Sequence, residues 1–216
     1  QVCAERIVTE LGQRAFRRPL AEQDVADLLA YYREGAAAGG FEEGIRSAVT
    51  GILASPYFLY RIEQAPQDLA PGQIYALDDL TLASKLSFFL WSSIPDDELL
   101  GLAMRGELGK ESVLKQQVER MLKDPRSDSL VTNFAFQWLN VGRMDNIHPD
   151  PALYPNFDLN LRKGYREEMR LFLDSVLRSD RSVLDLLRSD TTFLNERVAR
   201  QYGISNVSGD QFRPVK

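Results

Sequence analysis

The stretch that decides the fold is "DLNLRKGYREEMRLFLDSVL", Asp158 to Leu177. Leu161, Tyr165, Met169, Phe172 and Val176 recur at three- and four-residue steps, which is the period of one face of an α-helix. Charged residues fill the opposite face, and the spacing predicts i,i+4 pairs of Arg170 with Asp174 and of Asp174 with Arg178. Working outward, the same period returns in both directions. "LDDLTLASKLSFFLWSSI" (77–94) is apolar on most sides, with Leu80, Ala83, Leu86, Phe89 and Leu90 turned inward, so it predicts a helix central to its core. "IPDDELLGLAMRGEL" (94–108) starts a short helix near Pro95, with acids in its first turn where the helix dipole favours them. Further helices are predicted over Glu111 to Leu122 and from about Ser127 onward. The latter presents Leu130, Phe134, Trp138 and Val141 to the interior.

Toward the N-terminus three more helices are predicted. The first runs from about Ala4 to Phe16 on a stripe of Cys3, Ile7, Leu11 and Phe16. A second follows Ala21, an unusual cap residue, and ends at Gly39-Gly40. The third uses Phe41, Ile45, Val49 and Ile52 and stops at Ser55-Pro56, since the residue before proline is pushed out of the helical region. "SVLDLLRSD" (182–190) and "TFLNERVARQYGI" (192–204) read as short helices. No segment alternates convincingly and nothing repeats. The expected fold class is all-α: a small N-terminal helical unit followed by a larger, irregular helical bundle. The expected domains are 1–63, a Pro/Gly-bearing linker over 64–74, and a bundle over 75–205. Residues 206–216 read as the start of a downstream segment, and the absence of an initial Met suggests a fragment or a mature product.

A chain of 216 residues with 44% hydrophobic and 26% charged residues can bury a real core and looks like an ordinary globular protein. Its net charge of −5 argues against a nucleic-acid surface, and no apolar run reaches the ~20 residues of a membrane span. "RAFRRPL" (14–20) stands out against that acidity. Arginines in and after the last turn of a helix offset its dipole and can bond free carbonyls, and Pro19 prevents continuation. The alternative reading is an arginine fork for a carboxylate or phosphate.

Few residues suggest chemistry. His148 is the sole histidine, in "NIHPDPALYP", and reads either as a surface-loop residue or as a ligand to a haem or metal reached from outside. Asp145, Asp150 and Asp158 share its loop and could offer oxygens to Ca²⁺, but they lack the compact spacing of an EF-hand. No metal site is therefore assigned, and these four are held as candidates. The absence of C-x-x-C-H means that this stretch carries no c-type haem attachment, so no cofactor is expected here. Glu167 and Glu168 read as solvated rather than as an acid/base pair, Trp91 and Trp138 as core aromatics rather than as an electron-transfer or sugar-stacking surface, and Asn195 and Glu196 as a cap or a buried hydrogen bond. Cys3, the sole cysteine, reads as a small helical hydrophobe or as half of a disulfide with an upstream partner.

"RAFRRPL", "SPYFLYRIE" (55–63), "LASKLSFFLWSSIPDDELL" (82–100) and "TFLNERVARQYGI" resemble the planctomycete-specific domains of unknown function that accompany planctomycete-type cytochrome c modules. "FQWLNV" and "YPNFD" fit the same pattern. The resemblance implies an exported multidomain protein of the periplasm or cell envelope, with haem c elsewhere in the polypeptide and other domains of that polypeptide as partners. It carries over no catalytic residues. The function it implies is a non-catalytic scaffold or docking module. The alternative is part of an extracytoplasmic redox or hydrolytic enzyme, completed by a downstream or haem-bearing region.

Overall fold

A computed structural model describes residues 2–61, 63, 66, 68–70, 72–179 and 181–216. It is mostly helical, with two three-residue strands among the described residues, as the all-α expectation required. Packing divides the chain into two compact units, 1–120 and 121–216. The stretch read as a linker, 64–74, includes Gln64, Ala65, Gln67 and Pro71, which lie outside the described residues.

The first unit opens with α1 (Val2–Phe16) and α2 (Glu22–Ala54), followed by α3 (Pro56–Leu59), α4 (Asp79–Trp91), α5 (Asp97–Met104) and the start of α6 (Glu111–Lys123). Its core joins Val8, Phe16, Leu28, Ala48 and Ile52. The buried stripe of α1 is Ala4, Val8, Gly12 and Phe16, rotated from the predicted one. The small residues Ala4 and Gly12 let α1 approach its neighbour closely, so Leu11 and Cys3 face outward.

Two arms of α2 meet at Gly39-Gly40, where Gly40 takes φ +81°, a value open to glycine and strained for residues with a Cβ. The chain turns back there, and Tyr32 and Tyr31 lie over Gly44 and Gly51; a Cβ on either glycine would fall within 2.7 Å of a tyrosine ring. Ala21 caps α2 despite lacking an oxygen, because the Asp24 carboxylate reaches back to accept its N–H at 2.7 Å. Asp78 and Asp96 cap α4 and α5 through the N–H groups of Thr81 and Leu99. Asp79 instead accepts from the Leu108 and Gly109 N–H groups. In α4 the buried residues are Ala83, Ser87, Leu90 and Trp91, while Phe89 stands half exposed.

The second unit holds a run of irregular turns, then α7 (Phe136–Trp138), α8 (Leu159–Arg178), α9 (Asp185–Arg188), β1 (Thr192–Leu194), α10 (Glu196–Gln201) and β2 (Arg213–Val215). The predicted stripe through Trp138 fails here. Leu130–Ala135 is wound as a π-helix, whose wider turn shifts the phase of the face. Val131, Ala135, Phe136 and Val141 are consequently buried with Leu173. Trp138 is left 62% exposed, stacked on an exposed Phe134 at 6.3 Å. Trp91, at 3% exposure, is a core residue as expected.

A second core gathers Leu161, Leu194, Val198, Ala199 and Val207. The segment read as one helix over 192–204 is a strand, a cap and a helix: β1 pairs antiparallel with β2, Thr192 opposite Val215, and Asn195 accepts the Val198 N–H at 3.0 Å to start α10. Arg178 pairs with Asp174 as predicted, but Arg170 turns to Glu167 at 2.6 Å and Asp128 at 3.2 Å instead of Asp174.

Candidate functional site

The first unit carries a cleft of about 270 Å³ between the end of α1, α3 and the N-terminal half of α4. "RAFRRPL" forms one side of it. Arg17 ends α1 in the left-handed region, φ +58°, and is only 6% exposed. Its guanidinium donates to the carbonyls of Tyr57 at 2.7 Å, Tyr60 at 3.0 Å and Ala15 at 2.8 Å. The residue that stops one helix thus also satisfies carbonyls at the end of α3. Burial, and then the neighbouring Arg61 cation, pull its pKa below the usual arginine value. Arg18 forks onto Asp24 at 2.7 and 3.0 Å and lies 4.4 Å from the centre of the Tyr57 ring. That arginine holds the Asp24 carboxyl below its ordinary pKa, while burial opposes it. Arg14 reaches Asp97 on the surface.

Across the cleft, Glu63 accepts from the Lys85 ammonium and the Tyr75 hydroxyl. These two bonds, Lys85 first, lower its pKa, and the bond to Glu63 raises that of Tyr75. Arg61 lies 4.6 Å from the centre of the Phe88 ring, which also receives Arg17 at 5.8 Å. Arg61 and Glu63 stand together in "YRIE" (60–63), whereas Lys85 comes from α4, and no local pattern in the sequence signals that they meet. In the sequence Arg61 is simply flanked by Tyr60 and Ile62.

The second unit carries an open hollow of about 640 Å³, lined by Ile147, His148, Leu153, Tyr154, Phe157 and Tyr165 among others. The four candidate ligands do not converge on it. His148 lies exposed on its rim with Nδ1 3.0 Å from the Asn146 carbonyl. Asp145 pairs with Arg166 at 2.5 Å, and Asp150 accepts the Ala152 N–H at 2.8 Å within a turn. Asp158 caps α8 through the Leu161 N–H at 2.7 Å and meets Arg197 at 3.3 Å. That N–H, then Arg197, lowers its pKa. Among the described residues no three His, Cys, Asp or Glu side chains are grouped to hold a metal ion.

Glu168, read as solvated, is engaged instead: it accepts from Thr192 Oγ1 at 2.6 Å and from the Tyr202 hydroxyl at 2.8 Å. Tyr202 stacks on Tyr165 at 6.0 Å, and burial followed by the bond to Glu168 pushes its phenol well above the ordinary value. A tyrosine so held stays neutral and acts as a hydrogen-bond donor. Arg162 spans the loop by donating to the carbonyls of Asp145 and Ile147.

These features define a mostly helical protein in which the ionisable groups serve largely as caps, forks and clamps. The chain belongs to the family described as a protein of unknown function, DUF1592 (PSD4), which matches residues 77–204. Residues 3–63 match a second family, also described as a protein of unknown function, DUF1595 (PSD5). No curated protein and no solved structure matches the chain. Among the described residues no helix is long and apolar enough to cross a membrane.

Proposed function

We propose that the chain is a non-catalytic docking module of an exported, cytochrome-c-associated multidomain protein, working in the periplasm or cell envelope against a haem-bearing module of the same polypeptide. The association and the location rest on the resemblance of its motifs to planctomycete-specific domains. The observation that carries the docking role is the contrast around the second unit's hollow. The nearby acids Asp145, Asp150 and Asp158 are taken up by an ion pair, a turn and a helix cap, whereas Leu153 in the hollow's lining is 74% exposed and Tyr154 61%. A docking face offers contiguous apolar and aromatic area of this kind.

The test has two parts. Purified protein is dialysed and examined for metal and visible absorption; a metal-free, colourless sample is expected, and stoichiometric iron would favour the enzyme alternative. The separately expressed cytochrome module is then titrated against the chain and against Leu153→Ser/Tyr154→Ser. The double variant is expected to bind roughly tenfold or more weakly, as loss of exposed anchors commonly does. Equal binding by both forms, or none by either, overturns the docking role.

A further inference from the structure

Among the described residues, the cleft of the first unit is lined by more cations than carboxylates. Four cations line it, Arg17, Arg18, Arg61 and Lys85, against two carboxylates, Glu63 and Asp78, in a chain of net charge −5. Most of these groups are matched. Arg18 is held by Asp24, Lys85 by Glu63, and Asp78 caps α4. Arg17 has its donors on backbone carbonyls, so its hydrogen bonds are satisfied but its charge faces no carboxylate. Arg61 stands exposed against the Phe88 ring, and among the described residues it has no carboxylate within ion-pair distance.

Two guanidiniums therefore share one aromatic ring, one buried with its donors occupied and the other with its fork available. Like charges so placed repel, and an anion beside Arg61 would relieve that repulsion. An arginine fork matches the planar spacing of carboxylate and phosphate oxygens. The rest of the lining suits a small molecule with an apolar body: Phe16, Tyr57, Tyr60 and Leu80 belong to it, and Ser84 adds a hydroxyl-bearing residue on α4. We propose that this cleft binds a small carboxylate- or phosphate-bearing molecule, with Arg61 as the residue that grips the oxyanion, Arg17 as a fixed charge behind it, and these aromatic and aliphatic residues as the apolar lining. The site does not depend on the docking reading, since it lies wholly in the first unit.

The test is a titration of the whole chain with inorganic phosphate and, separately, with malonate, followed by NMR shifts of backbone amides around 57–61 and 81–85. Arg61→Gln removes the grip, and Arg33→Gln, an exposed arginine of α2 outside the cleft, serves as the charge-matched control. Saturable binding with Kd of about 10 mM or tighter is expected for at least one probe, weakened by added NaCl. It should fall roughly tenfold in Arg61→Gln, the loss that goes with a charge-assisted hydrogen bond, and be unchanged in Arg33→Gln. Stronger binding of phosphate assigns a phosphate ligand, and stronger binding of malonate a carboxylate. Shifts that do not saturate with either probe, or equal affinity in the parent and Arg61→Gln, overturn the site. Equal losses in the two variants would do so as well, since they would mark a diffuse charge effect.

Discussion

Replacing Arg17 separates two roles that one residue plays in ending α1. Its backbone sits at φ +58°, which costs a residue with a Cβ roughly 1–2 kcal/mol. Its side chain makes three well-formed bonds to carbonyls, at 2.7 to 3.0 Å. Bonds from a charged donor contribute about 1.5–3 kcal/mol each when counted alone. Removing the side chain also removes the desolvation penalty of a buried cation and lets water reach some of the carbonyls, which offsets a good part of that sum. Arg17→Ala keeps the backbone strain and loses the bonds, so a net loss of about 3 kcal/mol is expected. Arg17→Gly loses the same bonds but relaxes the backbone, recovering about 1 kcal/mol. The order parent, then Gly, then Ala inverts the usual rule that glycine is the worse substitute near a helix. Equilibrium urea unfolding would measure it, followed by fluorescence of the buried Trp91 in a Trp138→Phe background, so that the signal reports on the first unit. An Ala variant within about 0.5 kcal/mol of the parent, or a Gly variant less stable than Ala, would refute this account of Arg17.

Two further outcomes can be checked by equilibrium unfolding, followed by far-UV circular dichroism for the second unit and by Trp91 for the first. Gly164→Ala would place a Cβ 2.5 Å from Val198 Cγ2; overpacking of about 1–3 kcal/mol should outweigh the ~1 kcal/mol gained in helix propensity, and Val198→Ala should restore part of the loss in a double-mutant cycle. Asp24 has its pKa lowered by Arg18, so its stabilisation is present above the unfolded-state carboxylate pKa and is lost as pH falls through the lower folded value. Asp24→Asn should accordingly be less stable than the parent at pH 7 and show a flatter decline below about pH 4; parallel acid curves would show that the Arg18 fork contributes nothing.

Much of the helical layout is legible in the sequence because period and punctuation agree. α8 announces itself by its five-residue apolar stripe and by Asp158 at its start, and α4 and α5 by aspartates that prove to be caps. The 127–146 stretch resists reading for the opposite reason: a π-wound turn has no distinct composition, and a stripe extrapolated through it arrives on the wrong face at Trp138. A three-residue strand such as β1 is too short to show alternation, so its β-branched and aromatic residues merge into the helix that follows. The cleft was half legible. "RAFRRPL" could be recognised as a helix end with a surplus of cations, but the partners that make Arg18 structural and leave Arg61 free lie in other segments, and only the folded chain brings them together.

The Gly39-Gly40 corner has a bearing on how the first unit forms. Leu28 and Ile52, on the two arms of α2, belong to the same core, and they meet by closing the two-glycine bend that separates two helical arms. Loop-closure entropy is least for such contacts, and chains rich in them cross their folding barrier quickly. The arms can therefore assemble as a helical hairpin before α1 finds its seat, turning the search for the core into the docking of one helix on a surface already made. The backbone freedom at Gly40 thus governs the route to the fold as well as its final geometry.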